Sequence, residues 1–205
     1  MARNELRRYW TLPRVRLAFL LSGIRWGKGW QLYGEPIIQR HRGGSIHLGD
    51  RLTLRSALWS NPLAPAHPVV LSVRRPGALL TVGADFGMTG GTLCADESIM
   101  IGDRVSVGAN CTIIDTDFHP VDVQQRQRDL QQRRQSPTAQ ATAPVVIEDD
   151  VFIGMACLIL KGSHIGAGTV IGAGSVVTGT IPPGVIAAGN PAQIIRQAKS
   201  EADNA

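Results

Sequence analysis

From residue 147 onward an aliphatic side chain returns at every sixth position, at Ile147, Ile153, Ile159, Ile165, Ile171 and Val177. A helix repeats at about 3.6 residues and a pleated strand at about 2, so neither alone produces this spacing. A short strand followed by a corner does. A smaller residue stands four positions after each aliphatic one, at Val151, Cys157, Ser163, Thr169 and Ser175. Side chains alternate faces along a strand, so each small residue and the next aliphatic one point the same way, into a shared interior. Three flat faces of this length close a triangular coil. The pattern predicts an all-β parallel solenoid.

The same beat runs earlier with slips. Val82, Met88 and Cys94 keep it, and Ile101, Val107 and Ile113 resume it after a one-residue insertion. Leu48-Gly49-Asp50 reads as a first, degenerate turn. Residues Ser56 to Pro68 are rich in proline and turn formers and predict a loop. Residues 114–144 leave the repeat as a new face is due and return at Val145. A stacked coil cannot absorb that length, so the segment is expected to be extruded from a corner, where function concentrates. The expected organisation is a basic N-terminal segment over 1–45, a coil over 46–188 with its excursion at 114–144, and a C-terminal segment over 189–205. Both terminal segments are expected to be short and at least partly helical.

Charge sharpens the reading at one end only. Arg3, Arg7, Arg8, Arg14, Arg16, Arg25 and Lys28 face Glu5 alone within residues 1–30, whereas the whole chain carries +5. Thr11 and Pro13 suggest a helix start, and Leu17, Leu20, Leu21 and Ile24 follow helical spacing. Two roles fit: a cap over the open end of the coil, or an amphipathic helix on an anionic membrane. Basic residues are not interleaved with aromatics along the body, which argues against nucleic acid. No run approaches the roughly 18 apolar residues of a membrane span, and Leu17 to Leu21 is short for a signal peptide. Cys94, Cys111 and Cys157 fall on inward positions and read as small buried hydrophobes. A reducing, cytoplasmic setting follows, with peripheral contact at the inner face of the membrane as an option.

Chemistry enters in the excursion, at Asp115-Thr116-Asp117-Phe118-His119-Pro120-Val121-Asp122. An imidazole accepts protons near neutral pH, and carboxylates at Asp115 and Asp117 could orient it. On these residues alone a plain loop histidine is the more ordinary reading than a catalytic one.

Together the repeats, DTDFHPVD, VVIEDDVFIG and the terminal VVTGTIPPGVIAAGNPAQIIR resemble the hexapeptide-repeat acyltransferases. The closest likeness is to the branch of maltose, galactoside and surface-polysaccharide O-acetyltransferases, and it covers about residues 80–197. The resemblance implies a left-handed parallel β-helix, a homotrimer, acetyl-CoA as co-substrate, a sugar or glycan acceptor and no required metal. It puts the general base at His119, with Asp115, Asp117 and Phe152 beside the acceptor. It puts Gly154, Ala173 and Thr178 under the pantetheine arm and Arg196 at the nucleotide phosphates. Gly179 and Gln193 replace basic residues common in relatives, so Lys161, Arg196 or Lys199 would take their part. Met88 to Gly91 lacks an asparagine frequent at the acceptor site, which implies a larger glycan acceptor. Two other functions are compatible with a coil of this kind. A zinc carbonic anhydrase on the same coil would need His47, His119 and His164 to converge. A silent scaffold, docked to a membrane or a glycan-assembly complex, would need none of the excursion chemistry.

Overall fold

The computed structural model describes residues 2–132 and 141–198. A helix, α1 (Ala2–Leu21), precedes a coil in which each turn contributes one strand to each of three faces. The first turn is β1 (Gln31–Tyr33), β2 (Ile37–Arg40) and β3 (Ser45–Leu48). The second is β4 (Thr53–Arg55), β5 (Val70–Val73) and β6 (Leu79–Val82), and the third is β7 (Gly87–Thr89), β8 (Thr92–Ala95) and β9 (Ser98–Ile101). The fourth is β10 (Ser106–Val107), β11 (Thr112–Ile114) and, after a helix α2 (Val123–Gln132), β12 (Val145–Ile147). The fifth is β13 (Phe152–Ile153), β14 (Leu158–Ile159) and β15 (His164–Ile165), and the sixth is β16 (Val170–Ile171), β17 (Val176–Val177) and β18 (Thr180–Ile181). β19 (Val185–Gly189) starts a seventh turn, and β20 (Ala192–Gln197) folds back on it. The first face has eight strands and the other two have six each, all parallel except the last pair.

The six-residue beat becomes vertical columns. Val107, Ile153, Ile171 and Ala187 stack in register on the first face, Ile113, Ile159 and Val177 on the second, and Ile147, Ile165 and Ile181 on the third. All are buried. The small positions turn the corners. Where they are hydroxylic, the hydroxyl donates to a nearby main-chain carbonyl and is thereby satisfied in the interior. Ser163 Oγ donates to Val177 O at 3.0 Å, and Thr169 Oγ1 donates to Pro182 O at 2.8 Å. The three cysteines are buried free thiols inside the coil.

Both ends differ from expectation. The helix starts at Ala2 and carries Pro13 inside it, so Thr11 and Pro13 do not begin it. Its covering face is Val15 and Phe19, packed with Ile24, Trp30 and Leu32, while Leu17, Leu20 and Leu21 point away from the coil. Phe19 meets Trp30 edge-on at 5.2 Å, closing the open end with aromatic bulk. Parallel pairing starts at Gln31, opposite Thr53, well before the expected boundary at 46. Leu32 and Ile46 fill inward places there without a six-residue spacing, because the corners of this turn are unequal in length.

At the other end the expected helical tail is a strand. Ala192 to Gln197 pairs antiparallel with β19, with a register shift at Ile186 and Ala187. The β-branched pair Ile194-Ile195 favours extended chain, and the pairing covers main-chain groups that the end of the first face would otherwise expose. The expectation of a C-terminal helix also extended over residues 199–205, which lie outside the described residues.

Candidate active site

The excursion leaves the coil at the corner between second and third faces in the fourth turn. Its two ends are fastened together before they diverge. Ala143 N–H donates to Asp115 O at 3.0 Å, Asp117 N–H to Ala141 O at 3.2 Å, and Thr116 bridges Thr142. Thr142 Oγ1 donates to the Glu97 carboxylate at 2.6 Å. The base is thus a short ladder tied to the turn below.

His119 stands just beyond this ladder, with an exposed side chain. Its N–H donates to Asp117 O at 2.7 Å, closing a three-residue turn with Phe118 at its centre in the left-handed region, φ 59°. A non-glycine residue stays there only when its surroundings hold it. The Phe118 ring lies 4.7 Å from the Arg74 guanidinium, a cation–π contact. On the far side, Arg126 of α2 donates to the carbonyls of Pro120 (3.1 Å) and Val121. α2 itself is capped by Asp122, whose side chain accepts from Gln125 N–H at 2.8 Å. The imidazole therefore projects from a segment braced on both sides.

The two aspartates do different work. Asp115 is fully buried, and its carboxylate accepts from the N–H groups of Asp96 and Glu97, each at 2.7 Å. Both oxygens hold the third turn, so the expected role beside the imidazole or acceptor is replaced by a structural one. Burial pushes its carboxyl up from the ordinary aspartate value, against the pull of those two N–H groups. Asp117 is partly exposed and pairs with Lys161 Nζ at 3.3 Å, linking the excursion to the fifth turn. Lys161, expected as a substitute phosphate contact, has a carboxylate partner here.

The remaining expected residues fall into two groups. Gly154 and Ala173 stack in successive turns at the corner between the first and second faces. A Cβ on Gly154 would lie 2.5 Å from Ala173 N, so the close approach requires glycine there. Phe152, half exposed, shares a column on the first face with Val170, Ile186 and Arg196. Three strand spacings separate Phe152 from Arg196, or about 14 Å. Thr178 is exposed and lies at the corner of the second and third faces, the corner from which the excursion springs. Within one protomer, then, His119, Asp117 and Thr178 share one edge of the prism. Gly154 and Ala173 share another edge, and Phe152 and Arg196 lie on the first face next to it. The second face separates the two groups. His47 and His164 sit four turns apart on the third face, about 19 Å by strand spacing, which keeps the three histidines of the zinc reading from meeting within a protomer.

Arg74, Phe118 and Arg126 were not legible as site residues. The one signal was the basic pair Arg74-Arg75 before Pro76-Gly77, which reads as an ordinary charged turn.

Repeat, winding and excursion together make a left-handed parallel β-helix of the kind that hexapeptide repeats build. Residues 144–179 match the bacterial transferase hexapeptide (six repeats), and residues 98–123 match the hexapeptide repeat of succinyl-transferase. The chain is 40% identical over 106 residues to galactoside O-acetyltransferase of Lactococcus lactis, covering 52% of this chain and 46% of that protein. It is 44% identical over 63 residues to a 2,3,4,5-tetrahydropyridine-2,6-dicarboxylate N-acetyltransferase of Staphylococcus aureus, covering 31% of this chain and 26% of that one. The chain thus spans less than half the length of these curated relatives. Among solved structures it is similar to a hexapeptide-repeat containing acetyltransferase of Vibrio cholerae complexed with acetyl coenzyme A. There the TM-score is 0.52 and the identity 25%, over 92% of this chain and 78% of that one. By repeat, fold and relatives, the chain resembles the sugar O-acetyltransferase branch of the hexapeptide-repeat acyltransferases.

Proposed function

We propose that the protein transfers an acetyl group from acetyl-CoA to a hydroxyl of a sugar or glycan precursor, with His119 as general base. The observation that carries this is the placement of an exposed imidazole on a doubly braced turn at one edge of the coil. Relatives named as acetyltransferases, one of them solved with acetyl coenzyme A, supply the donor.

The chemistry needs little else. His119 takes the proton of the acceptor hydroxyl as its oxygen attacks the thioester carbonyl. The tetrahedral intermediate collapses, the carbon–sulfur bond breaks, and coenzyme A leaves as a thiolate that takes up the proton. A thioester is already activated, so no acyl-enzyme is required, and the protein contributes mainly juxtaposition.

The Gly154–Ala173 corner, free of bulk, would take the pantetheine arm, with Arg196 toward the nucleotide phosphates. These residues lie across the second face from His119, so a complete site needs a neighbouring copy. A homotrimer meets that need by setting one edge of each protomer against another edge of the next. Phe152, Met155 and Leu158, exposed around the first corner of the fifth turn, suit such a contact.

The test is thiol release from acetyl-CoA with a panel of sugars, glycans and amines, with products identified by mass. Hydroxyl acetylation that fails in His119→Ala is expected. Acetylation of amines only, or near-normal turnover in that variant, overturns the reading.

A further inference from the structure

α1 has two apolar faces, and the coil uses one. On the other, Leu6, Trp10, Pro13, Leu17, Leu20 and Leu21 recur at helical spacing and form one stripe along the helix. Trp10 is 83% and Leu21 78% exposed. On a helical wheel Arg7 and Arg14 border one side of this stripe and Arg16 the other.

The cations continue past the helix. Arg25, Lys28, Arg40 and His47 line a cavity of about 680 Å³ beside its C-terminal end, with Asp50 the carboxylate on its wall. Asp50 is already engaged by Lys28 N–H at 2.8 Å. Arg25 also borders an apolar recess of about 480 Å³ formed with Arg16, Phe19, Leu20, Ile24 and Trp26. Glu5, the acid of this helix, is held by Arg8 at 2.9 Å and by the Tyr33 hydroxyl at 2.7 Å. Among the described residues, Arg14, Arg16, Arg25 and Lys28 make no ion pair with a carboxylate.

We propose that this end of the protein docks on a bilayer containing anionic phospholipid. The stripe lies at the acyl boundary, and a lipid phosphate enters the cavity of Arg25, Lys28, Arg40 and His47. An apolar stripe with tryptophan, edged by arginine, is the pattern of a helix lying in a membrane interface. Cations beside it add attraction to anionic headgroups that fades with salt. A second copy of the same face is a poor occupant, because pairing like with like sets one arginine row against the other. The helix is amphipathic rather than spanning, since no helix of the described residues is long and apolar enough to cross a membrane. The contact is independent of acetyl transfer, because α1 and the cavity lie at the first turn and the excursion springs from the fourth.

The experiment is co-sedimentation of the full chain with vesicles of phosphatidylcholine, alone or mixed with phosphatidylglycerol. Binding to the mixed vesicles only, weakening with salt, is expected. Leu17→Glu/Leu20→Glu should reduce the bound fraction about tenfold or more, and Arg25→Glu/Arg40→Glu should remove the preference for anionic lipid. Both pairs are exposed, and unchanged melting by circular dichroism checks that the variants fold. No binding, or equal binding to both vesicles, overturns the proposal. So does saturation of the cavity by glycerol phosphate with vesicles left unbound, which would make the ligand a soluble phosphate. A leucine variant that alters subunit number while vesicle binding persists would make the stripe a subunit interface and equally sink it.

Discussion

The Arg74 guanidinium lies 4.7 Å from the Phe118 ring and 3.5 Å from the Asp96 carboxylate, so one side chain joins the second turn, the third turn and the excursion. Asp96 is fully buried and also meets Arg75 at 3.1 Å, which keeps its charge partnered if Arg74 is lost. The contact with Phe118 therefore bears mainly on the turn that presents His119. Phe118→Leu keeps the apolar bulk and removes the π face. Loss of about 0.5–1 kcal/mol of orienting energy corresponds to roughly a two- to five-fold fall in kcat. Steady-state kinetics with acetyl-CoA should show that fall with KM nearly constant; a change in KM alone would contradict it.

His119 itself should separate catalysis from stability. Its side chain is exposed, and the bond that fixes the turn comes from its backbone N–H, which any residue but proline retains. His119→Ala is expected to lower turnover by about 10² or more with an unchanged melting temperature. A variant that melts early would mean the ring serves the fold.

Asp115 should behave in the opposite way. Asp115→Ala leaves the N–H groups of Asp96 and Glu97 without their acceptor, at a cost of about 1–3 kcal/mol each if water does not replace it. The melting temperature and activity should fall together. Burial raises the carboxyl in the folded chain, so the folded state holds its proton to higher pH than the unfolded one. Stability from this group therefore declines as pH climbs from the ordinary aspartate value to the raised one, and is level above it. Glu148, lowered chiefly by its bond with His164, acts with the other sign: its stabilisation is present above the ordinary glutamate value and is lost as pH falls below it. Asp115→Asn should remove the Asp115 decline and leave the Glu148 branch, as read from melting temperature against pH.

The coil could be read from residues 80 onward because its period follows directly from strand alternation plus a corner, and Ile153 or Ile165 cannot move one place without turning outward. The first turn was hidden. Leu32 and Ile46 fill inward positions, but the corners between them vary in length, which erases the beat while leaving the pairing intact. Pro13 favours a first turn yet here occupies a helix interior, so the helix begins earlier than the sequence suggests. His119 stands out as a candidate by its neighbours in sequence, whereas its braces do not. Arg74 is 44 positions before Phe118 in the chain, a separation with no local signature. Asp115 and Asp117 differ only in which way the chain turns them, inward to the coil or outward to Lys161.

Corner packing at Gly154 predicts a steric result. A Cβ would sit 2.5 Å from Ala173 N and 2.7 Å from Ala173 Cα, both main-chain atoms that cannot swing aside. Gly154→Ala should destabilise by about 1–3 kcal/mol, seen as a lower melting temperature. Ala173 is exposed, so Ala173→Phe adds bulk without burying it. If the pantetheine arm follows this corner, Ala173→Phe raises KM for acetyl-CoA and leaves melting unchanged. Unaltered KM would move the arm elsewhere.

The division of residues between two edges yields a test of shared sites. If each site takes His119 from one protomer and the Gly154–Ala173 corner from its neighbour, His119→Ala and Ala173→Phe lesions fall in different subunits of a mixed oligomer. In a closed ring assembled at random from equal amounts of both chains, about a quarter of the sites join an intact His119 to an intact corner. Each variant alone supplies none. Co-expression with two affinity tags, followed by tandem purification, isolates the mixed oligomers for assay. Assayed with acetyl-CoA well below the KM that Ala173→Phe raises, turnover in the mixture above that of both parents is the expected result. Should the mixture stay as slow as its parents, imidazole and corner serve one site within a single protomer, and the second face would have to be bridged by the substrates themselves.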